Sequence, residues 1–315
     1  MKKIKSLFIK PFNKMFYLLI TIIVLSITAC NKPIPFAFNI YPIEKNISYQ
    51  RGIIKLIDEN IQVRYLITNY DENNNDSGDI IFFFHGIGRN EYQWIDNNGF
   101  EKQFLEAVHS DNNFKNIPVI SISFGMASLI INDIPYPFDA NLESIFINEL
   151  IPYFKKLLNK NGKIYLIGHS MGGYNALSLA FRHSDLFPVV IAISPFIPIK
   201  SPFKKNFEKK INNSNKDNFF LIFLKKTLKY TFKDEKNWNK YNFFNKITKA
   251  NNNDVPYIII SSSDKDIPEF SYSIKVFLKK MQKEKINYKY FLTPGSHQKP
   301  KIENLIVSLM KRTIK

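Results

Sequence analysis

The feature that most constrains the fold of this chain is a decapeptide at residues 164–173, Ile-Tyr-Leu-Ile-Gly-His-Ser-Met-Gly-Gly. An apolar run leads into a Gly-x-Ser-x-Gly pentapeptide centred on Ser170, and a stretch compatible with a helix follows over residues 174–181. A strand, a tight turn and a helix in this order predict a nucleophile elbow. Glycines two residues before and after the serine leave room for a turn in which its backbone is strained. We therefore expect an α/β sheet with a serine hydroxyl projecting from the end of one strand.

A serine needs a base to act as a nucleophile, and His297 is the candidate for that role. It ends the segment 293–297, which we expect to be a loop after a strand-like alternation over residues 288–292. Its position after the serine and near the end of the chain matches the order nucleophile, acid, histidine. An acidic residue that orients the imidazole is then expected between them.

The chain contains four further histidines, and each has a simpler interpretation. His169 lies beside the nucleophile inside the turn, where its side chain is expected to point away from Ser170. His85 precedes the elbow, which breaks the expected order, so we expect it to brace the loop after a buried strand. His109 and His183 lie in or beside polar, helical stretches and are predicted at the surface.

An oxyanion formed at the serine would need two N–H donors, one of which follows the nucleophile in sequence and is here that of Met171. The second is expected from the turn after the apolar run at residues 80–84, which ends in His-Gly-Ile-Gly at residues 85–88. We assign this second donor to Ile87.

Strand-like and helix-like segments alternate along the rest of the chain, after an antiparallel hairpin over residues 51–57 and 61–69. Strands are predicted near residues 79–84, 118–124, 163–168, 188–194, 256–261 and 287–292, and helices near 99–109, 143–160, 172–183, 269–284 and 300–312. This alternation predicts an α/β fold with a doubly wound, mostly parallel sheet and active-site loops at the carboxyl ends of the strands.

Residues 146–195 combine the elbow with a Phe-Ile-Asn-Glu-Leu-Ile-Pro-Tyr-Phe segment before it and a Val-Ile-Ala-Ile-Ser-Pro strand end after it. In these motifs the chain resembles the esterase D and feruloyl-esterase branch of the α/β-hydrolases, which also includes bacterial mycolyl transferases. The similarity covers residues 79–195 well and residues 255–298 more loosely. It implies an α/β-hydrolase fold and a serine hydrolase that acts on carboxylic or thiol esters without a cofactor.

The orienting acid remains open between two aspartates in the segment 261–268, Ser-Ser-Ser-Asp-Lys-Asp-Ile-Pro. Chains of the resembling family commonly carry Gly-x-x-Asp there, followed by an aliphatic residue and often a proline. With Ser263 in the glycine position the pattern selects Asp266, and with Ser261 in that position it selects Asp264. The apolar stripe of the following helix and the spacing to the histidine favour Asp266.

The beginning of the chain resembles a bacterial lipoprotein signal. Five lysines form a positively charged region without acids, an apolar stretch over residues 15–29 follows, and Ile-Thr-Ala-Cys completes a lipobox-like sequence. The stretch is short for a membrane span, which needs about 20 residues. We expect a signal peptide at residues 1–29, lipidation of Cys30, a tether over residues 30–49 and a catalytic domain over residues 50–315. The alternative is an uncleaved anchor, and either arrangement places the domain in the bacterial cell envelope, lipid-anchored or membrane-anchored outside the cytoplasm.

Cys30 is the only cysteine, so its lipidation would leave no thiol for a disulfide, a metal or a nucleophile. The histidines are scattered, without the paired spacing of a metal site. We therefore expect neither a metal nor a cofactor.

Positive charge is concentrated between the sixth and seventh predicted strands, in an insertion of about residues 196–254. Residues 200–250 hold fourteen lysines and four acidic residues, a net +10 of the chain's formal +17. The insertion occupies the usual position of a cap in an α/β-hydrolase. Apolar and aromatic residues that would add apolar surface to it are residues 219–224, Phe203, Phe207, Phe232, Trp238, Phe243 and Phe244.

Two interpretations of this basic, aromatic-rich cap remain open. It predicts contact with an anionic membrane surface or with an acidic, lipid-like substrate. Alternatively, its lysines reflect the lysine-, asparagine- and isoleucine-rich composition of the whole chain and are only solvated. No nucleic-acid recognition motif is present, so we expect no nucleic-acid partner.

Two classes of function follow from these patterns. The first is a lipid-anchored serine esterase that cleaves a small-molecule or lipid ester through Ser170, His297 and an aspartate, and an acyltransferase or thioesterase would use the same residues. The second is a non-catalytic surface lipoprotein that uses a hydrolase scaffold for binding, since fold alone does not fix function. The coexistence of elbow, base and oxyanion turn favours the enzyme.

Overall fold

The computed structural model of the protein describes residues 47–313, except 56–61, 71–77, 97–98, 110, 112–113, 115, 126, 128, 136–138, 205–218 and 248–254. The expected signal peptide at residues 1–29, the lipidation site Cys30 and residues 31–46 of the tether lie outside the described residues.

Within the described ranges, nine strands form one sheet. They are β1 (Gln50–Lys55), β2 (Gln62–Thr68), β3 (Ile80–Phe84), β4 (Val119–Ser123), β5 (Ile164–His169), β6 (Val189–Ile193), β7 (Tyr257–Lys265), β8 (Tyr288–Ser296) and β9 (Lys299–Pro300). Their order across the sheet is β1-β2-β4-β3-β5-β6-β7-β8-β9. The six strands from β3 to β8 pair in parallel, whereas the β1–β2 hairpin and β9 pair antiparallel at the two edges.

Helices cover both faces of this sheet. They are α1 (Phe100–Val108), α2 (Leu142–Ile145), α3 (Ile151–Leu157), α4 (Met171–Arg182), α5 (Phe219–Phe232), α6 (Glu235–Tyr241), α7 (Phe243–Lys246), α8 (Pro268–Lys283) and α9 (Glu303–Thr313), with a 3₁₀ helix at Glu91–Trp94 and a π-helix at Phe146–Leu150.

Alternate residues of the central strands enter two separate cores, because successive side chains of a strand point to opposite faces. Phe82 and Leu166 belong to the core shared with α2 to α8, whereas Phe83 and Ile167 belong to the core shared with α1 and α9. All residues of β3 and β5 are buried, as expected for parallel strands covered on both faces. The prediction of a doubly wound, mostly parallel α/β fold is confirmed.

The helix predicted over residues 143–160 consists of three successive pieces, α2, the π-helix and α3. Pro152 lies in the first turn of α3 and has no N–H to donate to the carbonyl four residues earlier. The wider π-helical turn ends at Leu150, two residues before this proline. Such turns are rare, and helical periodicity does not predict them.

Two strands extend beyond their predicted ends. β7 continues to Lys265, past its apolar run, and β8 continues to Ser296. The expectation that residues 293–297 form a loop is therefore wrong, since only His297 lies beyond the strand. The two strands pair in parallel, with a register shift between Ser263 and Lys265. Backbone pairing with a neighbour holds these polar residues in the sheet, and apolar alternation alone does not reveal such pairing.

The insertion between β6 and β7 packs onto the sheet through α5, α6 and α7. Phe232, Trp238 and Phe243 are buried, and the rings of the first two meet edge to face with centroids 5.0 Å apart. The expectation that these three add outer apolar surface is wrong, because they join the core of the domain. Phe203 and Phe244 are partly buried against the same core. Phe207 and the side chains of residues 219–223 lie outside the described residues.

Candidate active site

Ser170 occupies a strained turn between the end of β5 and the start of α4. Its backbone angles are φ 58° and ψ −117°, in a region that non-glycine residues seldom occupy. Two glycines make the turn possible. A Cβ atom on Gly172 would lie 1.9 Å from the carbonyl oxygen of Phe84, and one on Gly168 would lie 2.1 Å from that of Gly172. The spacing of the pentapeptide thus follows from the close contact of the turn with the neighbouring strand.

Main-chain hydrogen bonds fix this turn to the neighbouring strand end. The N–H of Ser170 donates to the carbonyl of Ile193 at 2.9 Å, and its own carbonyl accepts from Phe196 at 3.0 Å and from Tyr174 at 3.2 Å. These hydrogen bonds offset the backbone strain at Ser170. They hold the residue in a fixed position relative to the end of β6.

His297 brings its imidazole to the serine from the end of β8. Its Nε2 lies 3.0 Å from Ser170 Oγ, and its Nδ1 lies 2.7 Å from Asp266 Oδ1. An ionised carboxylate can only accept, so Nδ1 carries the hydrogen and Nε2 is left to accept from the serine hydroxyl. The ring of Phe270 meets the imidazole edge to face at 4.8 Å. The structure therefore brings together three of the residues predicted from the sequence.

The carboxylate of Asp266 is buried and receives several donors. Besides His297, its oxygens accept the N–H groups of Ile267 at 2.8 Å and Ser263 at 3.2 Å. Burial raises the pKa of Asp266, but the hydrogen bond and charge of His297, together with the Ser194 hydroxyl and the Ile267 N–H, outweigh burial and hold it below its ordinary value. The group is thus ionised at neutral pH and aimed at the imidazole.

Asp264, the other candidate acid, is not brought to the histidine. It is exposed, and its Oδ1 accepts the N–H of Gly295 at 3.0 Å. It lies at the register shift between β7 and β8 and satisfies a donor of the neighbouring strand there. The geometry thus separates the two aspartates that the sequence leaves open, although their roles in catalysis stay predictions.

The predicted oxyanion donors belong to two segments that adjoin the serine. Met171 is the buried first residue of α4, and Ile87 is partly buried in the turn after β3. A Cβ atom on Gly86 would lie 3.3 Å from Ser170 Cβ, so the backbone of this turn passes directly beside the nucleophile. The assignment of the two N–H groups stays a prediction.

Three histidines lie away from the serine. His85 contacts the carbonyl of Gly86 at 2.9 Å and the hydroxyl of Ser123 at 3.0 Å, as a brace of the turn would, and burial lowers its pKa. His109 is exposed, as predicted. The surface prediction is wrong for His183, which is half-buried and contacts the buried carboxylate of Glu143 at 2.7 Å. A partner 40 residues away in sequence gives no local signal for this contact.

Gln93 and His169 form a buried polar pair beside the site that the sequence does not single out as functional. Gln93 Nε2 lies 3.0 Å from His169 Nδ1, and His169 Nε2 lies 2.7 Å from the carbonyl oxygen of His297. The side chain of His169 therefore points away from Ser170, as expected, but toward the main chain of the base. The sequence carries one signal for this pair, a glutamine between two aromatic residues, Tyr92 and Trp94, which indicates a polar side chain in apolar surroundings.

In the part of the chain that the structure describes, no three His, Cys, Asp or Glu side chains are grouped to hold a metal ion. No helix in the same ranges has the length and apolar character needed to span a membrane.

A family model described as "Putative esterase" matches residues 56–293 of the chain. The fold is similar to that of a solved ferulic acid esterase, with a TM-score of 0.60 and 17% identity over 84% of this chain and 96% of that one. It is also similar to an S-formylglutathione hydrolase from Agrobacterium tumefaciens (TM-score 0.59, 12% identity, 87% and 95% covered). A fluorophosphonate-binding serine hydrolase of Staphylococcus aureus is similar as well (TM-score 0.54, 14% identity, 85% and 97% covered). These likenesses show an α/β-hydrolase fold.

Proposed function

The chain belongs to the Esterase family and is a carboxylic ester hydrolase, and we propose that it cleaves its ester through a Ser-His-Asp triad and an acyl-enzyme. The observation that supports this most directly is the contact of His297 Nε2 with Ser170 Oγ at 3.0 Å, while Nδ1 of the same ring contacts Asp266 at 2.7 Å. A base within reach of a hydroxyl and oriented by a third group is the arrangement that activates a serine nucleophile.

In the first half of the reaction, Ser170 Oγ attacks the acyl carbonyl carbon while His297 Nε2 takes the hydroxyl proton. The oxyanion that forms is stabilised by the N–H groups of Met171 and Ile87, and the adjacent start of α4 favours negative charge. His297 then gives its proton to the leaving oxygen or sulfur, the bond to the carbonyl carbon breaks, and the acyl group remains on the serine.

In the second half, a water molecule replaces the leaving group. It gives a proton to His297 Nε2 as its oxygen attacks the acyl carbon, and the proton returns to Ser170 Oγ when the carboxylic acid leaves. Throughout, Asp266 keeps the hydrogen of the imidazole on Nδ1 and stabilises the imidazolium that forms twice in each turnover.

A fluorophosphonate reagent tests this proposal, since it traps an activated serine by forming an Oγ–P bond with loss of fluoride. We expect one adduct per chain on the peptide that contains Ser170, and a burst of p-nitrophenol from p-nitrophenyl esters as the acyl-enzyme accumulates. Ser170→Ala should show neither. Absence of labelling and of hydrolysis across short and long acyl chains would instead support the non-catalytic binding protein.

The same acyl-enzyme could transfer its acyl group to an acceptor other than water. Adding a simple alcohol or thiol to the p-nitrophenyl ester assay measures this partition. A carboxylic acid as the main product supports hydrolysis, whereas a new ester or thioester that rises with acceptor concentration supports an acyltransferase. Comparing oxygen esters with thiol esters of the same acyl chain separates an esterase from a thioesterase.

We further propose that the enzyme acts in the bacterial cell envelope, attached through a lipid on Cys30. The charged start of the chain, the short apolar stretch and the small residues before the cysteine support this proposal. Metabolic labelling with palmitate should mark the wild type but not Cys30→Ser. A mature protein that still begins at Met1 would contradict it.

The insertion supports a second contact with the membrane surface. Four lysines of α5, α6 and the connection between them are exposed, Lys226, Lys229, Lys233 and Lys236. Lys240 instead pairs with Asp133 at 2.8 Å. Several cations on one segment attract an anionic surface in proportion to their number. Because Phe232, Trp238 and Phe243 are buried in the domain core, we propose that the charges of the lysines supply most of this contact.

Hydrolysis of an ester embedded in vesicles tests this contact in the full-length protein. With phosphatidylglycerol in the vesicles, replacing the four lysines by glutamine should lower the rate, and added salt should lower the wild-type rate. Replacing the exposed Lys299 of the edge strand β9 and the exposed Lys311 of α9, on the opposite face of the sheet, is the control. Equal rates for both variants, or no preference for anionic vesicles, would show that the lysines are only solvated.

A further inference from the structure

A buried chain of three hydrogen bonds connects the turn after β3 to the main chain of His297. The N–H of Gly86 donates to Gln93 Oε1 at 2.7 Å, Gln93 Nε2 donates to His169 Nδ1 at 3.0 Å, and His169 Nε2 donates to the carbonyl of His297 at 2.7 Å. One end of this chain adjoins the predicted oxyanion donor Ile87, and the other end is the residue that contacts Ser170.

The direction of each bond in this chain is fixed by the bond next to it. The carbonyl of His297 can only accept, so the imidazole of His169 must carry its hydrogen on Nε2 and accept at Nδ1. Gln93 must then present its NH₂ group to Nδ1 and its oxygen to Gly86. A neutral His169 in a single tautomer is the only form that satisfies all three bonds.

Burial keeps the chain in this form. Gln93 and His169 are each 1% exposed, and the ring of Phe100 packs on the imidazole of His169 at 5.5 Å between centroids. Burial, followed by the nearby His297, lowers the pKa of His169 to about 3, so the imidazole is neutral over the range in which an esterase works. Buried polar groups with every partner in place rigidify their surroundings.

A second link between the same two segments runs parallel to the first. Arg89 donates from Nη1 to Asp96 at 3.0 Å and from Nη2 to the side-chain oxygen of Gln298 at 2.9 Å. The segment after β3 therefore binds both the carbonyl of His297, through Gln93 and His169, and the side chain of Gln298, through Arg89. Two attachments restrict rotation of the segment where one would only restrict its distance.

We propose that Gln93 and His169 are positioning residues, which hold the oxyanion turn and the base in register with each other across Ser170. This inference rests on the proposed function of the site. The side chains of the pair make no hydrogen bond to Ser170 Oγ or to the imidazole nitrogens of His297, although the rings of His169 and His297 lie 5.0 Å apart. Their hydrogen bonds therefore act on the backbone that carries the oxyanion turn and the base. The relative position of the oxyanion turn and His297 is then fixed by these hydrogen bonds.

Two substitutions at position 169 separate the bond to His297 from the bond to Gln93. In His169→Gln, the amide nitrogen can take the place of Nε2 and still donate to the carbonyl of His297. In His169→Asn, the shorter amide can take the place of Nδ1 and still accept from Gln93, but it cannot reach the carbonyl of His297. The two variants have similar polarity and both remove the imidazole.

We expect His169→Asn to lower kcat about 10- to 100-fold with a small change in KM, because a misplacement of about 1 Å can reduce a rate about 100-fold. His169→Gln should recover most of that loss. Gln93→Met, which removes both bonds of the glutamine at similar volume but leaves the bond from His169 to His297, should lose less than His169→Asn. The low-field proton signal of His297 Nδ1–H should shift or broaden in His169→Asn and remain in His169→Gln.

Several outcomes would overturn the proposal. Equal loss in both variants at position 169, with equal loss of unfolding free energy, would show that the imidazole contributes only to packing. Wild-type kcat in His169→Asn and Gln93→Met would show that the chain of bonds positions nothing of consequence. These results are distinct from a failure of the proposed function, in which the wild-type protein itself would neither bind a fluorophosphonate at Ser170 nor hydrolyse an ester.

Discussion

Asp266 contacts His297 through a carboxylate that also accepts two main-chain N–H groups, from Ser263 and Ile267. The acid is therefore held by the bend that follows β7 and does not depend on the histidine for its orientation. Asp264, two residues earlier, faces solvent and binds Gly295 on the neighbouring strand. The two aspartates thus have different partners, Gly295 for Asp264 and His297 for Asp266, although they are two residues apart in sequence.

Exchange of each aspartate for asparagine should separate their contributions to turnover. We expect Asp266→Asn to lower kcat by about 10⁴, because an amide at this position favours the wrong tautomer of the imidazole. Asp264→Asn should stay within a few-fold of wild type, since its amide oxygen can still accept from Gly295. Steady-state hydrolysis of a p-nitrophenyl ester measures kcat for both variants. A large loss of kcat in Asp264→Asn alone would show that Asp264 is the acid that orients His297.

Removal of the nucleophile should leave a folded but inactive protein. Ser170→Ala is expected to lower kcat by about 10⁴ to 10⁶, with the remaining rate due to binding and to the oxyanion donors. Its circular dichroism spectrum and urea midpoint should stay near those of wild type, and Ser48→Ala, at an exposed serine outside the site, is the control. Unchanged hydrolysis in Ser170→Ala would contradict the mechanism.

The elbow should tolerate no side chain at Gly172. Alanine there would place Cβ 1.9 Å from the carbonyl oxygen of Phe84, so β3 or α4 would have to move and we expect little soluble, folded protein. Gly88→Ala is the matched control. It has φ 71° but open space around Cβ, so Gly88→Ala should add only backbone strain and lower the unfolding free energy by about 1–2 kcal/mol. Similar urea midpoints for the two variants would show that the turn is looser than its contacts indicate.

The buried imidazole of His169 should make stability fall in acid. Burial lowers its pKa to about 3 from an ordinary value of 6.5, so between these values the unfolded chain binds a proton that the folded protein excludes. The unfolding free energy should therefore decrease as the pH falls below 6.5, by up to about 1.4 kcal/mol per pH unit from this group. Urea unfolding from pH 7 to pH 4.5 should show a shallower decline in His169→Gln. His109→Gln, at an exposed position, should keep the wild-type slope.

The insertion should behave as part of the core. Trp238 is 2% exposed and packs against Phe232, so Trp238→Ala is expected to lower the unfolding free energy by about 3–5 kcal/mol. Tyr230 is an aromatic residue of the same insertion that is 40% exposed. Tyr230→Ala should therefore lower the unfolding free energy much less. If Trp238→Ala left the denaturation midpoint unchanged, the insertion would be a separable lid.

The sequence predicts the central features of the site because they depend on local pattern. The elbow at Ser170 needs glycines at fixed spacing, and β3 and β5 are buried on both faces and therefore read as continuous apolar runs. His297 follows from chain order. The signals for the elbow and the strands lie within a few residues of the features that they predict.

Features that depend on pairing between distant segments could not be predicted in the same way. The choice between Asp264 and Asp266 depends on a register shift in the pairing of β7 with β8, and a slip of one residue exchanges the faces of a strand. Gln93 and His169 meet across 76 residues. Aromatic residues in the insertion could form either an exposed apolar surface or part of the core. Their composition is the same in both cases, and only their packing in the folded protein distinguishes the two.

The strand that leads to His297, β8, is also the last of the parallel strands to be synthesised. Folding during synthesis proceeds from the N-terminal side, so Ser170 can reach its place between β5 and α4 while position 297 has not yet been translated. An incomplete chain then carries a serine without a proton acceptor, and it should be inert toward esters. A chain truncated before position 297 should therefore hydrolyse no ester, even where the turn at Ser170 has formed.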